Sequence, residues 1–209
     1  MTLAQLYESL TSLPLFKGIS AKELSLIADK VHLRWMTIGS DHPFIQSEEP
    51  CQHIVFLIEG EMLRTTTNDE LTYTVTELVK GPALIEPEQL YGPSCTYRSN
   101  YRTRTACKVL LISKSDVRET LMEIPIWRIN LLNHYSSLIN KAQRKCEPHP
   151  YNVKEQIMHF GAERPLKIHI RMQDLARYMG VSRTTISHTL HALEKEGKVK
   201  LTPNLIEFT

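Results

Sequence analysis

The sequence predicts an α+β fold in three parts: an antiparallel sandwich or roll introduced by two short helices, one long helix, and a C-terminal winged helix-turn-helix. Three observations carry this. Apolar residues alternate in short runs between about Val31 and Ile112, which is the period of half-buried strands. After Pro125 they recur at helical spacing through IWRINLLNHYSSLINKAQRK. Two further helical segments, in MQDLARYM and SRTTISHTLHALEK, are joined by the tight turn Gly180-Val181.

Composition limits the function classes. With 42% hydrophobic and 23% charged residues among 209, the chain is globular in character and disorder is not its theme. No apolar run approaches the roughly 20 residues that span a bilayer. The start MTLAQLYESL lacks the basic beginning and apolar core of a signal peptide, so a cytoplasmic location without membrane contact is expected. Cys51, Cys95, Cys107 and Cys146 are scattered, with no C-x-x-C pair and no histidine at zinc spacing; they are expected to be structural thiols, and no metal site is expected. The net charge of +2 is too small to indicate a nucleic-acid partner by itself. Its distribution is tilted, with nine Lys/Arg against six Asp/Glu from Tyr151 onward and sixteen against seventeen before it.

Along the chain, Leu3, Leu6, Tyr7 and Leu10 have helical spacing, and Ser20 with Glu23 forms a capping box ahead of Leu24, Ile27, Ala28 and Val31. Two short helices joined at LPLFKGIS follow from this. The strand candidates are HIVFLIEG, EMLRTTT, LTYTVTELV and TRTACKVLLI, punctuated by Gly60, Gly81 and a hairpin turn at Asn68-Asp69. In the third of these, Leu71, Tyr73 and Val75 point one way and Thr72, Thr74 and Thr76 the other. Several short strands with no helix between them indicate an antiparallel sandwich or roll.

Helix returns near Ser113. The long segment after Pro125 carries two apolar stripes, one of Trp127, Leu131, His134 and Leu138 and another of Leu132, Tyr135, Ile139 and Ala142. One stripe is expected to pack on its own domain and the other on a twin helix. The dimer seam is assigned to Trp127, Leu131, His134 and Leu138, with His134 a packed residue rather than a metal or haem ligand. Glu147-Pro148-His149-Pro150 ends the helix. The expected domains are therefore 1–123, a sensor-like domain with N-terminal helices; 124–147, a dimerisation helix; and 148–209, the winged helix-turn-helix. Within the last, Asn152 and Glu155 cap a helix that ends at Gly161.

The C-terminal motif carries the functional signal. Small Ala176, the turn at Gly180 and inward Ile186 are what two steeply crossing helices require. KIHIRM reads as a strand before them and GKVKLTPNLIEF as a hairpin after them. On the second helix Arg183, Thr184, Ser187, His188 and His191 share one face, opposite Ile186, Leu190 and Leu193. Side chains of these types reach base edges and phosphates from a helix seated in the major groove. Ser182 as N-cap leaves first-turn N–H groups suited to a phosphate. Arg171, at the entry to the first helix, completes the expected DNA-binding set. Thr and Ser are mediocre helix formers, and a merely solvated face would carry Glu and Lys, as EKEGK does just downstream.

With LPLFKGIS near the start, IEGEM at a turn, RTRTACKVLLISKSDV leading into the long helix and VSRTTISHTLHALEKEGKVKL at the end, nearly the whole chain resembles the Crp-Fnr transcription regulators. The resemblance implies a cyclic-nucleotide-binding-like antiparallel β-roll. It also implies a homodimer joined by the long helices, binding a two-fold symmetric operator in double-stranded DNA and contacting RNA polymerase. It further implies that Arg183 keeps the family's first base-reading position. The family's Glu and second Arg are Thr184 and His188 here, so the operator should differ at that step.

The resemblance weakens at the effector site. Cyclic-nucleotide members hold the phosphate with Gly-Glu and Arg-Ser pairs and reach the base with Thr-Ser on the long helix. Here Ile85 precedes Glu86, Pro87 follows it, and Ala142-Gln143 aligns with the Thr-Ser; only Arg98-Ser99 survives. A branched Ile and a Pro oppose the close backbone approach that a phosphate cradle needs. Cyclic AMP is therefore not expected. The N-terminal cysteine cluster of iron-sulfur members is absent, and nothing singles out a haem-binding histidine. A different ligand in the roll, or none, is expected, with Glu86, Arg98, Ser99 and Gln143 as the candidate pocket. Glu86 and Glu88 are read as solvated loop acids. No Gly-rich phosphate loop or nucleophile elbow suggests an enzyme. The competing class is a ligand-sensing module whose helix-turn-helix makes protein contacts; the absence of acidic residues on the Arg183 to His191 face favours DNA.

Overall fold

In the computed structural model the described residues are 3–67, 73–146, 152–162 and 165–208. In chain order they form α1 (Leu3–Thr11), α2 (Ala21–Lys30), β1 (Arg34–Ile38), β2 (Pro43–Ile45), β3 (His53–Glu59), β4 (Glu61–Thr67), β5 (Tyr73–Lys80), β6 (Ala83–Ile85), β7 (Ser99–Thr103) and β8 (Cys107–Ser113). There follow α3 (Lys114–Glu119), α4 (Pro125–Cys146), α5 (Val153–Ala162), β9 (Pro165–Ile170), α6 (Met172–Met179), α7 (Arg183–Lys195), β10 (Val199–Thr202) and β11 (Leu205–Phe208). The fold class is α+β with an antiparallel β domain and a C-terminal winged helix-turn-helix. The Asn68-Asp69 turn and the Glu147–Pro150 boundary lie outside the described residues.

The chain divides into two compact units: residues 1–62, 80–98 and 102–147, and residues 63–79, 99–101 and 148–209. The first holds the antiparallel sheet β1-β8-β3-β6. Its central strands do not alternate between buried and exposed. Ile54 to Leu57 in β3 and Val109 to Ile112 in β8 are buried at every position, as in a strand covered on both faces. Phe16, from the 3₁₀ turn Pro14–Phe16, meets Phe56 of β3 with ring centroids 5.6 Å apart. The capping box forms as written: Ser20 Oγ accepts the Glu23 N–H and Glu23 accepts the Ser20 N–H, at 3.3 and 2.8 Å. Gly60, at φ +100°, closes the β3–β4 turn where a Cβ would stand 2.5 Å from the Ala106 carbonyl oxygen, so no other residue fits there.

The stripes of α4 are sorted by this packing. Trp127 is 0% and Leu131 6% exposed, whereas Leu132 is 64%, Ile139 57% and Ile129 52% exposed. The assignment of the dimer seam to the Trp127 stripe is therefore corrected. Trp127 and Leu131 are enclosed by their own chain, His134 and Leu138 are half-buried, and the open apolar stripe is Ile129, Leu132 and Ile139. Burial, and secondarily Lys141, lower the His134 pKa, as for a packed histidine. Cys51 and Cys107 are buried free thiols, and burial raises their pKa values.

The second unit contains the C-terminal domain. Ile157, Ile168, Ile170, Leu175, Ala176, Ile186, Leu190, Leu193, Val199 and Ile206 form one apolar cluster. Its sheet order is β10-β11-β9-β5-β4-β7. Asn152 and Glu155 cap α5 reciprocally, at 3.0 and 3.2 Å, and α5 runs one residue past Gly161. Leu190 is fully enclosed in this cluster, so Leu190→Ala should cost about 2–5 kcal/mol, measured as a lower urea midpoint with α7 losing amide protection.

Candidate nucleic-acid interface

Helix α7 is built by local rules. Gly180 ends α6 in the left-handed region at φ +65°, and its N–H returns to Ala176 and Arg177 carbonyls. Ser182 then caps α7, its Oγ accepting the Thr185 N–H at 3.1 Å and meeting Thr185 Oγ1 at 2.8 Å. The N–H groups of Arg183 and Thr184 precede the first intrahelical bond, which runs from Ile186 to the Ser182 carbonyl. Thr189 turns its hydroxyl to the Thr185 carbonyl at 2.8 Å.

Two sets of polar side chains separate at this point. Thr185 and Thr189 are tied to their own helix. Arg183, Thr184 and His188 are exposed and Ser187 is half-buried, and among the described residues none of the four has a side-chain hydrogen bond or ion pair. Directly behind them Ile186, Leu190 and Leu193 are fully enclosed. The structure thus presents four hydrogen-bonding side chains on one rigid, solvent-facing helix surface.

Two members of the predicted set are held differently. His191 is exposed, but its Nδ1 lies 3.4 Å from Glu194 Oε2, so an acidic residue does reach the end of this face. Glu194 also accepts the Leu201 N–H at 3.0 Å, tying α7 to the β10–β11 wing. Sequence reasoning passed over that tie; Glu194 standing one turn after His191 and just before the wing was its signal. Arg171 Nε is paired with Asp174 at 2.7 Å, at the entry to α6. Beyond α7, Lys154 and Lys198 both reach the Glu196 carboxylate, linking α5 to the start of the wing.

The candidate effector residues are placed less favourably for a ligand. Glu86 is 4% exposed, at φ +37° in the left-handed region, and its Oε2 accepts the Arg98 backbone N–H at 2.8 Å. The reading of Glu86 as a solvated loop acid is corrected: the Pro87–Gln89 turn buries it, and this backbone donor compensates the buried oxygen. Glu86 and Arg98 are thus brought together through the Arg98 main chain. The Arg98 side chain and Gln143 are exposed. Ser99 belongs to the second unit, fully buried, with Arg64 Nε donating to its Oγ at 3.0 Å and Thr66 Oγ1 at 2.8 Å. In the first unit, Tyr135 of α4 donates its hydroxyl to the Pro87 carbonyl at 2.9 Å; burial, then Glu88, push its pKa up to about 12. Among the described residues no group of three or more His, Cys, Asp or Glu could hold a metal ion, and no helix is long and apolar enough to cross a membrane.

A polar helix face backed by a closed core, entered by a tight left-handed turn and followed by a two-stranded wing, is the architecture of a winged helix-turn-helix domain. Residues 153–208 match the Crp-like helix-turn-helix domain. The chain is 23% identical over 208 residues to the cyclic AMP receptor protein of Thermus thermophilus, covering 93% of this chain and 91% of that one. The crystal structure of the Thermus thermophilus catabolite activator protein superposes with a TM-score of 0.54 at 19% identity, over 94% of this chain and 93% of that one. DNR from Pseudomonas aeruginosa gives 0.53 at 15% identity, over 100% and 95%. These likenesses establish the fold.

The Glu196 carboxylate, hydrogen-bonded first by Lys154 and then by Lys198, has its pKa lowered to about 2. Because the folded value lies below the ordinary one, the interaction stabilises fully above about pH 4.5 and is lost as pH falls toward 2. A carboxyl carbon NMR titration should place the Glu196 midpoint near 2, and Lys154→Met should raise it.

Proposed function

We propose that this chain acts as a homodimer on a palindromic operator, seating one α7 in the major groove of each half-site, under the control of an effector other than cyclic AMP. The observation that carries the DNA reading is the face of Arg183, Thr184, Ser187 and His188, held rigidly by an enclosed apolar face and without internal partners. Arg183 pairs bidentately with a guanine, a contact worth about 1–3 kcal/mol of discrimination. Thr184 accepts no cytosine amino proton as a carboxylate would, and His188 stands where the family has a second arginine. Ser182 and the first-turn amides of α7 meet a phosphate, and Arg171 and His191 add backbone contacts at either end of the motif. In this reading residues 1–123 are the sensor-like domain, 124–147 the dimerisation helix and 148–209 the DNA-binding domain, with residues 63–79 and 99–101 of the first segment grouped with the last in one compact unit. The protein works in the cytoplasm, contacts RNA polymerase on the promoter, and has no catalytic step.

The dimer reading rests on α4. Ile129, Leu132 and Ile139 stand at i, i+3 and i+10, a stripe about 15 Å long. Such a stripe on a helix already packed on its other side fits an antiparallel or parallel twin of itself. The effector reading rests on Glu86. The Thermus relative is named for cyclic AMP, whereas here Ile85 and Pro87 flank a Glu86 whose carboxylate is already held by the Arg98 amide. A ligand of different chemistry therefore sets the activity.

Genomic pull-down sequencing should return an enriched two-fold symmetric site, and Arg183→Ala should weaken binding to it by roughly tenfold or more while relaxing one base position. No enriched palindrome, together with binding indifferent to that substitution, would overturn the reading. In sedimentation experiments the wild type should be dimeric and a Leu132→Asp, Ile139→Asp variant monomeric, with α-helical content retained because both side chains are exposed in the single chain.

A further inference from the structure

The DNA-reading domain does not close its own sheet. Taken alone, the C-terminal segment supplies β10, β11 and β9, and β9 would be an edge strand with a free row of backbone donors and acceptors. That edge is occupied by β5, a strand about ninety residues earlier in the sequence. The antiparallel register pairs Tyr73 with Ile170, Thr74 with His169, Val75 with Ile168 and Thr76 with Lys167, and shifts before Glu77 meets Pro165. The shift falls where proline removes a ladder donor.

The contribution is not confined to the backbone. Ile168, opposite Val75, is 1% exposed and belongs to the cluster that also holds Ile186, Leu190 and Leu193, the inner face of α7; Val75 packs against the same cluster. On its other side β5 is fastened to β4. Thr65 Oγ1 and Thr76 Oγ1 are 3.3 Å apart and Arg64 pairs with Glu77 at 3.5 Å. Arg64 also donates to buried Ser99. The strand therefore reaches β9 already fixed in direction, which lowers the entropy cost of the pairing.

We propose that β5 is an integral strand of the DNA-reading domain and that Val75 is a positioning residue for the recognition helix, so that operator affinity depends on a segment that touches no DNA. Withdrawing β5 exposes the β9 edge and opens the apolar floor beneath α7, and the helix loses the fixed orientation on which base contacts depend. The inference rests on α7 being the DNA-contacting helix.

The full-length protein tests this through Val75→Asp, Val75→Ala and the conservative Val75→Ile. Hydrogen exchange of residues 165–170 and 183–195 reports the strand pairing and the helix, independently of DNA. Fluorescence of Trp35 and Trp127, both in the first unit, shows that this unit stays folded. Val75→Asp should deprotect β9 and weaken operator binding roughly tenfold or more, Val75→Ala should do both to a lesser degree, and Val75→Ile should stay within about twofold of wild type. Unchanged β9 protection in Val75→Asp and Val75→Ala would overturn the proposal, as would deprotection of β9 with unchanged or increased affinity. If the wild type bound no DNA at all, the functional reading would fail, and the exchange experiment alone would still decide whether β5 holds β9 and α7.

Discussion

The proposed DNA-reading surface depends on one constraint: α7 must bury Ile186, Leu190 and Leu193 against α5, α6 and the sheet. A helix has two long faces, and fixing one fixes the other. Burial of these three side chains, each worth about 1.5–3 kcal/mol, determines which way Arg183, Thr184, Ser187 and His188 point. The cap at Ser182 and the left-handed Gly180 determine where the helix starts. Together they remove the rotational and translational freedom that would blur base readout.

The same logic operates in α4 with a different result. Its Trp127 and Leu131 are enclosed within their own unit, and the Tyr135 hydroxyl is tied to the Pro87 carbonyl in the turn next to Glu86. The helix is thereby tied on one side to the Glu86–Pro87 turn, and on the other presents Ile129, Leu132 and Ile139. A ligand that rearranged the Glu86–Pro87 turn would act directly on the helix that we assign to dimerisation. Small shifts at one side of a packed helix must be accommodated at the other.

Much of this was legible in the sequence because it is local. Both capping boxes, Ser20 with Glu23 and Asn152 with Glu155, form reciprocally, and the helix-turn-helix stands where Ala176, Gly180 and Ile186 indicated. Each depends on residues within one or two helical turns. Period-two runs marked most strands, but β3 and β8 are buried on both faces, so their continuous apolar runs rather than alternation identify them. The burial of Glu86 was not legible, because it depends on a backbone donor twelve residues away; nor was the enclosure of the Trp127 stripe, since both stripes of α4 are equally apolar on paper.

The sequence by itself determined the elements, their order and the polar face of α7, for these follow from periodicity, caps and the placement of polar side chains on one face. Only the tertiary structure decided which stripe of α4 stays open, that Glu86 is already engaged, that His191 is shared with Glu194, and that β5 extends the sheet of the helix-turn-helix domain. Those outcomes depend on pairing between segments far apart in the chain, and a strand's own residues specify its face but not its neighbour.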